Sequence, residues 1–550
     1  MTSATFHVSL RACRSALVQG WDAICAGLYR TPPYRLSLAG RTPDHLDVTL
    51  PISWPDNPAQ ARAILDGRFQ VEDREVTLGN PPWPAIAASP SAAAAFHAFA
   101  WLDDLRANGS KAAQLRAQAL IEDWIDAYGR WRLPAWQPRV LAQRLAAWLS
   151  AADFLLAGAN APFPPKLLRS TAMQARHLVR VARRTSGRAE AFSVAKARLF
   201  AAVCLDVGDF TAAERFLVRE IDHQILPDGG HVQRAPSLHL AVLRDLLDMR
   251  TAYQAARREP PPALGAAIDR MVPALRAYRA GDGGLVLFHG GKEGDRRLID
   301  AVIGRSGQKG RPQDNGRDVG FQRLAAGRTV LVFDVGPPPP GPWAHAAPLA
   351  FEMSVGRDRV VTNCGDYTGD DARWRTALRS TDAHSTLIIN GASVLPVADA
   401  ASLGGPRIAV NAARRETEGS VWVEAAHDGY RRAFGLLHRR RLYIDPTGDD
   451  VRGEDVLDGT GRHGFKLRFH LHPAVAAELD SEEATVRLRL PTGGIWRFLA
   501  VGGRVSLDDS VYLGSGDSPR PTSQIVVSGA PQEPGGRVKW AFRRDDGPDG

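Results

Sequence analysis

The sequence predicts a multidomain α and β protein, an N-terminal α/α toroid of helical hairpins followed by a C-terminal antiparallel β-sandwich. Three observations predict it. Apolar residues recur at spacings of three and four across residues 91–303. They alternate with polar ones from residue 321 to 544. Between these stretches, residues 304–320 are polar and glycine-rich (Ser306-Gly307-Gln308-Lys309-Gly310), which reads as a linker loop. No repeat of fixed period is present, so unequal hairpins closing into a toroid are favoured over a regular array.

Taken in order, residues 1–90 lead into the toroid. Phe6, Leu10, Cys13, Leu17, Trp21, Ile24 and Leu28 recur at helical spacing. They predict an amphipathic helix packed on the body of the protein. A membrane-surface helix is the alternative, weakened because Arg11 and Arg14 are the only early cations. Short strands are expected at 36–38 and 46–49, and a small hairpin at 69–72 and 75–78 around Asp73-Arg74. Helices are expected at 95–105, 115–128, 138–156, 167–184, 189–205, 211–225, 236–256 and 263–278, joined by Gly/Pro turns. Leu467, Phe469 and Leu471 then fall on one strand face. Residues 486–490 and 495–498 form a hairpin across Pro491-Thr492-Gly493-Gly494. Further strands are expected at 329–335, 359–363, 385–389, 421–425, 440–444, 524–527 and 538–543, and residues 545–550 are expected to be a disordered tail.

Composition narrows the function. A net charge of +9, mostly arginine and spread along the chain, favours acidic partners. No nucleic-acid motif or lysine-rich tail is present, which leaves anionic sugars as the better match and gives no nucleic-acid partner. Four cysteines (Cys13, Cys25, Cys204, Cys364) without a Cys-X-X-Cys pair argue for buried thiols rather than a disulfide framework or a cysteine-held metal. No run approaches the roughly 18 apolar residues of a membrane span. The first residues also lack the pattern of a secretory leader, so the expected location is cytoplasmic, with periplasmic as the alternative. A homodimer is left open.

The most informative segment is Asp228-Gly229-Gly230-His231-Val232-Gln233-Arg234-Ala235-Pro236-Ser237-Leu238-His239. It sets two imidazoles and a guanidinium at a glycine turn leading into a helix. Imidazole moves protons near neutral pH and guanidinium holds carboxylates. Two further segments stand out. One is Trp343-Ala344-His345-Ala346-Ala347-Pro348-Leu349-Ala350-Phe351-Glu352-Met353. The other runs from Val361-Thr362-Asn363-Cys364-Gly365 to Arg379-Ser380-Thr381-Asp382-Ala383-His384-Ser385-Thr386.

In this order, the three segments resemble motifs of the heparinase II/III family of polysaccharide lyases, and the likeness covers most of the chain beyond its first hundred residues. The resemblance implies β-elimination of a uronate-containing polysaccharide or oligosaccharide, glycosaminoglycans included, with no organic cofactor. A base takes the C5 proton, an acid protonates the leaving oxygen, and cationic or amide groups neutralise the uronate carboxylate. The carry-over is uneven. His239 matches the motif histidine, but the family tyrosine position is Leu238 and the first histidine of His-Ala-His is Trp343. No counterpart of the family's earlier asparagine stands near residues 200–205. The candidate catalytic residues are therefore His231, Arg234, His239 and Tyr367, with Trp131, Trp136, Trp343 and Arg379 as substrate-binding candidates. The resemblance also implies a Zn²⁺ site at His345, Asn363 and His384, where Asn363 stands in place of a charged ligand.

Plainer readings stand beside these. His231 either satisfies the turn's backbone or, beside Gly229-Gly230, stays accessible. His239 is either packed or catalytic, Arg234 either a ligand clamp or an ion-pair partner, and Tyr367 either functional or an ordinary half-buried ring. His470 and His472, with His463, are read as the polar outer face of the sandwich. Trp148 has a core spacing, whereas Trp131 and Trp136 flank Leu133-Pro134 at a cleft rim. The cleft itself is expected between toroid and sandwich. Three functions follow: an acidic-polysaccharide lyase; a catalytically inactive carbohydrate-binding or polysaccharide-assembly protein on the same fold; or hydrolysis by paired carboxylates such as Asp228 and Glu352.

Overall fold

The computed structural model describes residues 21–545 except 22, 72–73, 80–81, 88, 400–401, 404–406 and 531–535. The chain separates into two compact units, Met1–Leu217 with Asp248–Glu259, and Val218–Leu247 with Pro260–Gly550.

The first unit is helical. Its main helices are Lys111–Tyr128, Pro138–Ser150, Phe163–Val181 and Ala191–Cys204. Ser110 opens the first of these by accepting the Ala113 N–H, and proline stands in the first turn of the second and third. Their apolar faces bury Trp124, Trp148 and Phe99. The Arg144 guanidinium lies 4.0 Å from the Trp124 ring, and its Nε and Nη1 donate to Gln174 and to the carbonyls of His97 and Ala135, which offsets part of the cost of burying its charge.

Several expectations change here. The helix expected at 95–105 is two, Pro90–Ala98 and Leu102–Asn108, broken where Phe99 adopts φ +58°. The strand expected at 36–38 is the end of a helix, Pro32–Ser37, because Thr31 accepts the Tyr34 N–H and Pro32 presets the first turn. The helix Pro58–Leu65, capped by Asn57, went unforeseen. Phe6, Leu10, Cys13 and Leu17 lie outside the described residues. Further along, Trp21, Ile24 and Leu28 are 58%, 65% and 55% exposed, so this part of the N-terminal stripe is not packed against the body as expected. Among the described residues no helix is long and apolar enough to cross a membrane.

The second unit is built on two large antiparallel sheets. One has the order Val410–Thr417, Ser420–His427, Leu436–Ile444, Asp450–Gly459, Gly536–Arg544, Ile495–Val501, Thr485–Arg489, Ala476–Asp480. The other runs Arg504–Tyr512, Arg520–Gly529, Phe465–Leu471, Asp358–Thr362, Phe351–Val355, Thr329–Asp334, Phe321–Ala326, Asn315–Gly316, with Leu387–Ile389 also paired to Phe465–Leu471. Their inner faces share one core, in which Trp540 stacks on Phe351 at 5.5 Å and meets Phe469 edge-on at 4.8 Å.

The strands not singled out from the sequence include Asp450–Gly459 and Arg504–Tyr512. The first carries Gly453 and Asp455 on its inward face. Gly453 leaves room for the Trp540 ring, since a Cβ there would sit 2.0 Å from it. Asp455 is buried but accepts from His438, Arg440 and Trp540. The helix Arg296–Ser306 extends into the stretch read as linker, and Asn315–Gly316 pairs with the strand beginning at Phe321. His470 is not on the polar outer face. It is buried, bonded to the Ser510 hydroxyl and the Asp382 carbonyl. Cys25, Cys204 and Cys364 are free and buried.

Candidate functional site

The glycine turn and the sandwich motifs fall in the same unit. The turn is closed by Gly230 O accepting from Leu226 N, by the Asp228 carboxylate accepting from Gly230 N, and by a bridge from Ile225 to His231. Gly229 is required at φ +83°, where a Cβ would lie 2.0 Å from the Arg270 carbonyl. The second Asp228 oxygen accepts from the backbone N–H groups of Asp318 and Val319, tying the turn to the loop before the sheet.

Arg234 sits at φ +54° and points into this junction. Its Nε donates to Val319 O at 2.6 Å, Nη1 to Pro337 O at 2.6 Å, and Nη2 to Gly320 O at 3.1 Å and to the Asp334 carboxylate. Phe321 lies beneath it at 4.8 Å. Four of the five N–H groups that guanidinium offers are thus spent, and the fifth faces His289 at 3.3 Å. His289 Nδ1 accepts from the His345 backbone N–H, which puts the ring proton on Nε2, 3.0 Å from Asp334. Asp334 is fully buried. Desolvation would raise its pKa, yet Arg234 and His289 together hold the carboxyl below its ordinary range.

His231 and His239 are both 1% exposed, so neither is accessible at the turn. His231 Nδ1 accepts from Gln233 N, and burial, with His239 nearby, pushes its pKa down to about 3. His239 Nε2 donates to Met271 O, its ring meets Tyr278 edge-on at 5.2 Å, and burial lowers its pKa to about 4. Tyr278 in turn meets Phe321 at 5.4 Å, so a continuous ring contact joins His239 to the Arg234 cluster.

On the sandwich side, His384 Nδ1 donates to Ser380 O, leaving Nε2 to accept from His345 Nδ1 at 3.0 Å. His345 Nε2 then faces Asp366 at 3.7 Å. Burial works against the Asp366 charge, but His345 and Arg379 hold its carboxyl below the usual range.

The zinc trio finds no support in this geometry. Asn363 Oδ1 accepts from Ser385 N, and its Nδ2 donates to Glu352. The two histidines spend their facing nitrogens on each other. Among the described residues no group of three or more His, Cys, Asp or Glu is placed to hold a metal ion. Glu352, which also accepts from Leu287 N, is a buried carboxyl raised to about 7 by desolvation, not one half of a pair with Asp228.

Tyr367 is buried against Trp374 at 6.4 Å. Arg379 donates to Pro342 O beside Trp343. Trp343 is half-buried over Gly290, where a Cβ would stand 2.8 Å from its ring and 3.5 Å from Asp366. Trp131 and Trp136 belong to the first unit. Trp136 is buried and donates to Tyr128 O, while Trp131 lies under Arg30 at 5.5 Å in a hollow with Tyr29 and Tyr34. Sequence reasoning missed His289 and Asp334. His289-Gly290-Gly291 mirrors Gly229-Gly230-His231, and that second glycine–histidine turn was the available signal.

The family model described as "Heparinase II/III-like, C-terminal" matches residues 308–541. FtsZ-localized protein C of Caulobacter vibrioides is 32% identical over 541 residues, covering 94% of this chain and 93% of the relative. This chain belongs to the heparinase II/III-like family. A crystal structure of heparinase III superposes with TM-score 0.74 at 14% identity, covering 93% of this chain and 89% of that one. A heparan sulfate lyase of Pedobacter heparinus gives 0.60 at 17% identity, covering 95% and 88%. The α/α toroid with a β-sandwich is the fold shared with these enzymes.

Proposed function

We propose that this chain keeps the family fold as a glycan-binding and assembly protein and does not carry out the elimination. The observation that supports this reading most is Arg234. An eliminase needs a cation free to neutralise the uronate carboxylate. Here the motif arginine already holds Asp334 and three backbone carbonyls inside the unit. The neighbouring imidazoles are poor bases, because burial drives their pKa values to about 3 and about 4. Leu238 and Trp343 remove the usual proton-transfer groups, as the sequence implied.

A relative so similar over nearly its full length supports the assembly side of the reading. Its name places that protein with FtsZ, and we extend the same location to this chain. The test has two arms. Incubation with a broad panel of uronate polymers is expected to give no absorbance from unsaturated ends; protein-dependent product would overturn the non-catalytic reading. A fluorescent fusion is expected to follow FtsZ in cells, and a distribution indifferent to FtsZ would overturn the location.

The lyase reading retains one favourable feature. His345, Asp366 and Arg379 lie together beside the half-buried Trp343, with Tyr367 next in sequence, so a carboxylate-binding and proton-moving set is present at one place. The polymer panel decides between the two.

A further inference from the structure

The solvent side of the eight-stranded sheet carries a group of side chains that none of the functional motifs includes. The register places Arg415, Trp422, Tyr443 and Arg452 side by side across four neighbouring strands. Strands lie about 4.8 Å apart, so this row spans about 14 Å. The next row reads Glu424, Arg441, Glu454, Lys539. Trp422 is 41% exposed and its ring lies 4.3 Å from that of Tyr443, with Arg452 over the tyrosine at 5.7 Å. Two hollows of about 370 Å³ and about 510 Å³ meet at Trp422 and Arg441.

Charge selects the occupant. Lining the two hollows are Arg415, Arg441, Arg452, Lys539 and Arg543 against Glu424 and Glu454. Arg441 is paired with both glutamates, and Arg452 and Arg543 share Asp450. Arg415 and Lys539 are exposed and have no carboxylate partner among the described residues. The site therefore offers an aromatic platform, carboxylates able to accept hydroxyl hydrogen bonds, and two free cations at its margins. A peptide added as an extra strand would need unpaired backbone groups. The Ser420–His427, Leu436–Ile444 and Asp450–Gly459 strands beneath the platform are paired on both sides, so recognition here must run through side chains.

We propose that this face binds an acidic oligosaccharide, with a sugar ring on the Trp422–Tyr443 pair and its carboxylates on Arg415 and Lys539. The inference rests on the glycan-binding part of the reading above and gives it a surface.

The test is calorimetric titration of the full chain at low salt with a uronate–hexosamine hexasaccharide. A neutral glucose hexasaccharide, a polyglutamate peptide and a single-stranded oligonucleotide serve as comparison ligands. The acidic sugar is expected to bind and the others to bind at least tenfold more weakly. Trp422→Ala and the double variant Arg415→Glu/Lys539→Glu are each expected to weaken binding about tenfold or more while unfolding at the wild-type midpoint. Binding of the acidic sugar that both variants leave intact overturns this surface but not the glycan-binding reading. No binding by the wild type overturns both. Tighter binding of the peptide or the oligonucleotide overturns the assignment of the ligand.

Discussion

The glycine-turn cluster and the outer face of the eight-stranded sheet are built from the same residue types and do opposite things with them. In the cluster, arginine, aspartate and imidazole are buried and spend their hydrogen bonds on one another and on backbone. On the sheet, arginine, lysine and glutamate stand in water around two aromatic rings, and two cations remain unpaired. Chemistry needs groups that are both oriented and reachable. The cluster has orientation without access, and the sheet has access without a proton-transfer group. A family motif can therefore persist as a fastener while recognition sits elsewhere.

The cluster breaks most sharply by removing one partner of its buried ion pair. Arg234→Ala leaves Asp334 charged, desolvated and bonded only to His289 and backbone. Loss of about 3–5 kcal/mol is expected by urea unfolding. Asp334→Asn, which keeps the size but removes the charge, is expected to cost a comparable amount, because it strands the guanidinium instead. A loss under about 1 kcal/mol for both would place Arg234 among exposed pairs and return it to the pool of ligand-binding groups.

Proton linkage gives the next effect. His231, His239 and His289 have native pKa values of about 3, 4 and 4, below the ordinary 6.5, in each case first because of burial. The native state thus binds fewer protons than the unfolded one below pH 6.5. Stability is full above that value and falls as the pH drops from 6.5 towards 4. The urea midpoint is expected to decline over that window. His239→Gln, which keeps a donor for Met271 O without titrating, is expected to flatten the decline by up to about 3 kcal/mol at pH 4. An unchanged slope would mean His239 is solvated.

On the sheet, Trp422→Ala is expected to change stability by less than about 1 kcal/mol, since much of the ring is already in water and the core beneath it is untouched. A larger loss would make the aromatic pair part of the packing rather than a platform.

Much of the fold was legible because period is a local property. The helices at Lys111–Tyr128 and Pro262–Ala277 and the strand Phe465–Leu471 followed from spacing alone. What stayed hidden depends on partners distant in sequence. The Asp450–Gly459 strand breaks its own alternation with Gly453 and Asp455, and both make sense only beside Trp540, Arg440 and His438. The candidate site divides the same way. Residue types and their convergence were readable at Arg234, His345 and His384. Their burial was not, because nothing in Gly229-Gly230-His231 reveals that Val319 covers Gly230: a Cβ on that glycine would lie 2.3 Å from the Val319 side chain. The metal trio lacks support for a related reason. Asn363 is chemically able to face an ion, but its amide is spent on Ser385 and Glu352, and only the register of Phe351–Val355 with Asp358–Thr362 brings that glutamate within reach.

The smallest expected effect is also the most discriminating. Trp343→His restores the family residue at the half-buried edge of the cluster, and Leu238→Tyr restores the tyrosine. If absent side chains were the sole obstacle, the pair together should recover some turnover of a uronate polymer. On the geometry here they recover none. Arg234 remains bound to Asp334 and the loop carbonyls, so the motif guanidinium does not oppose the substrate carboxylate, and the C5 proton stays weakly acidic whatever base stands near it. The measurement is product absorbance for each single variant and for the double variant, with folding checked by the unfolding midpoint. Turnover above the wild type in a folded double variant would show that the buried ion pair opens for substrate, and the contrast between fastener and platform would fail at its stronger end.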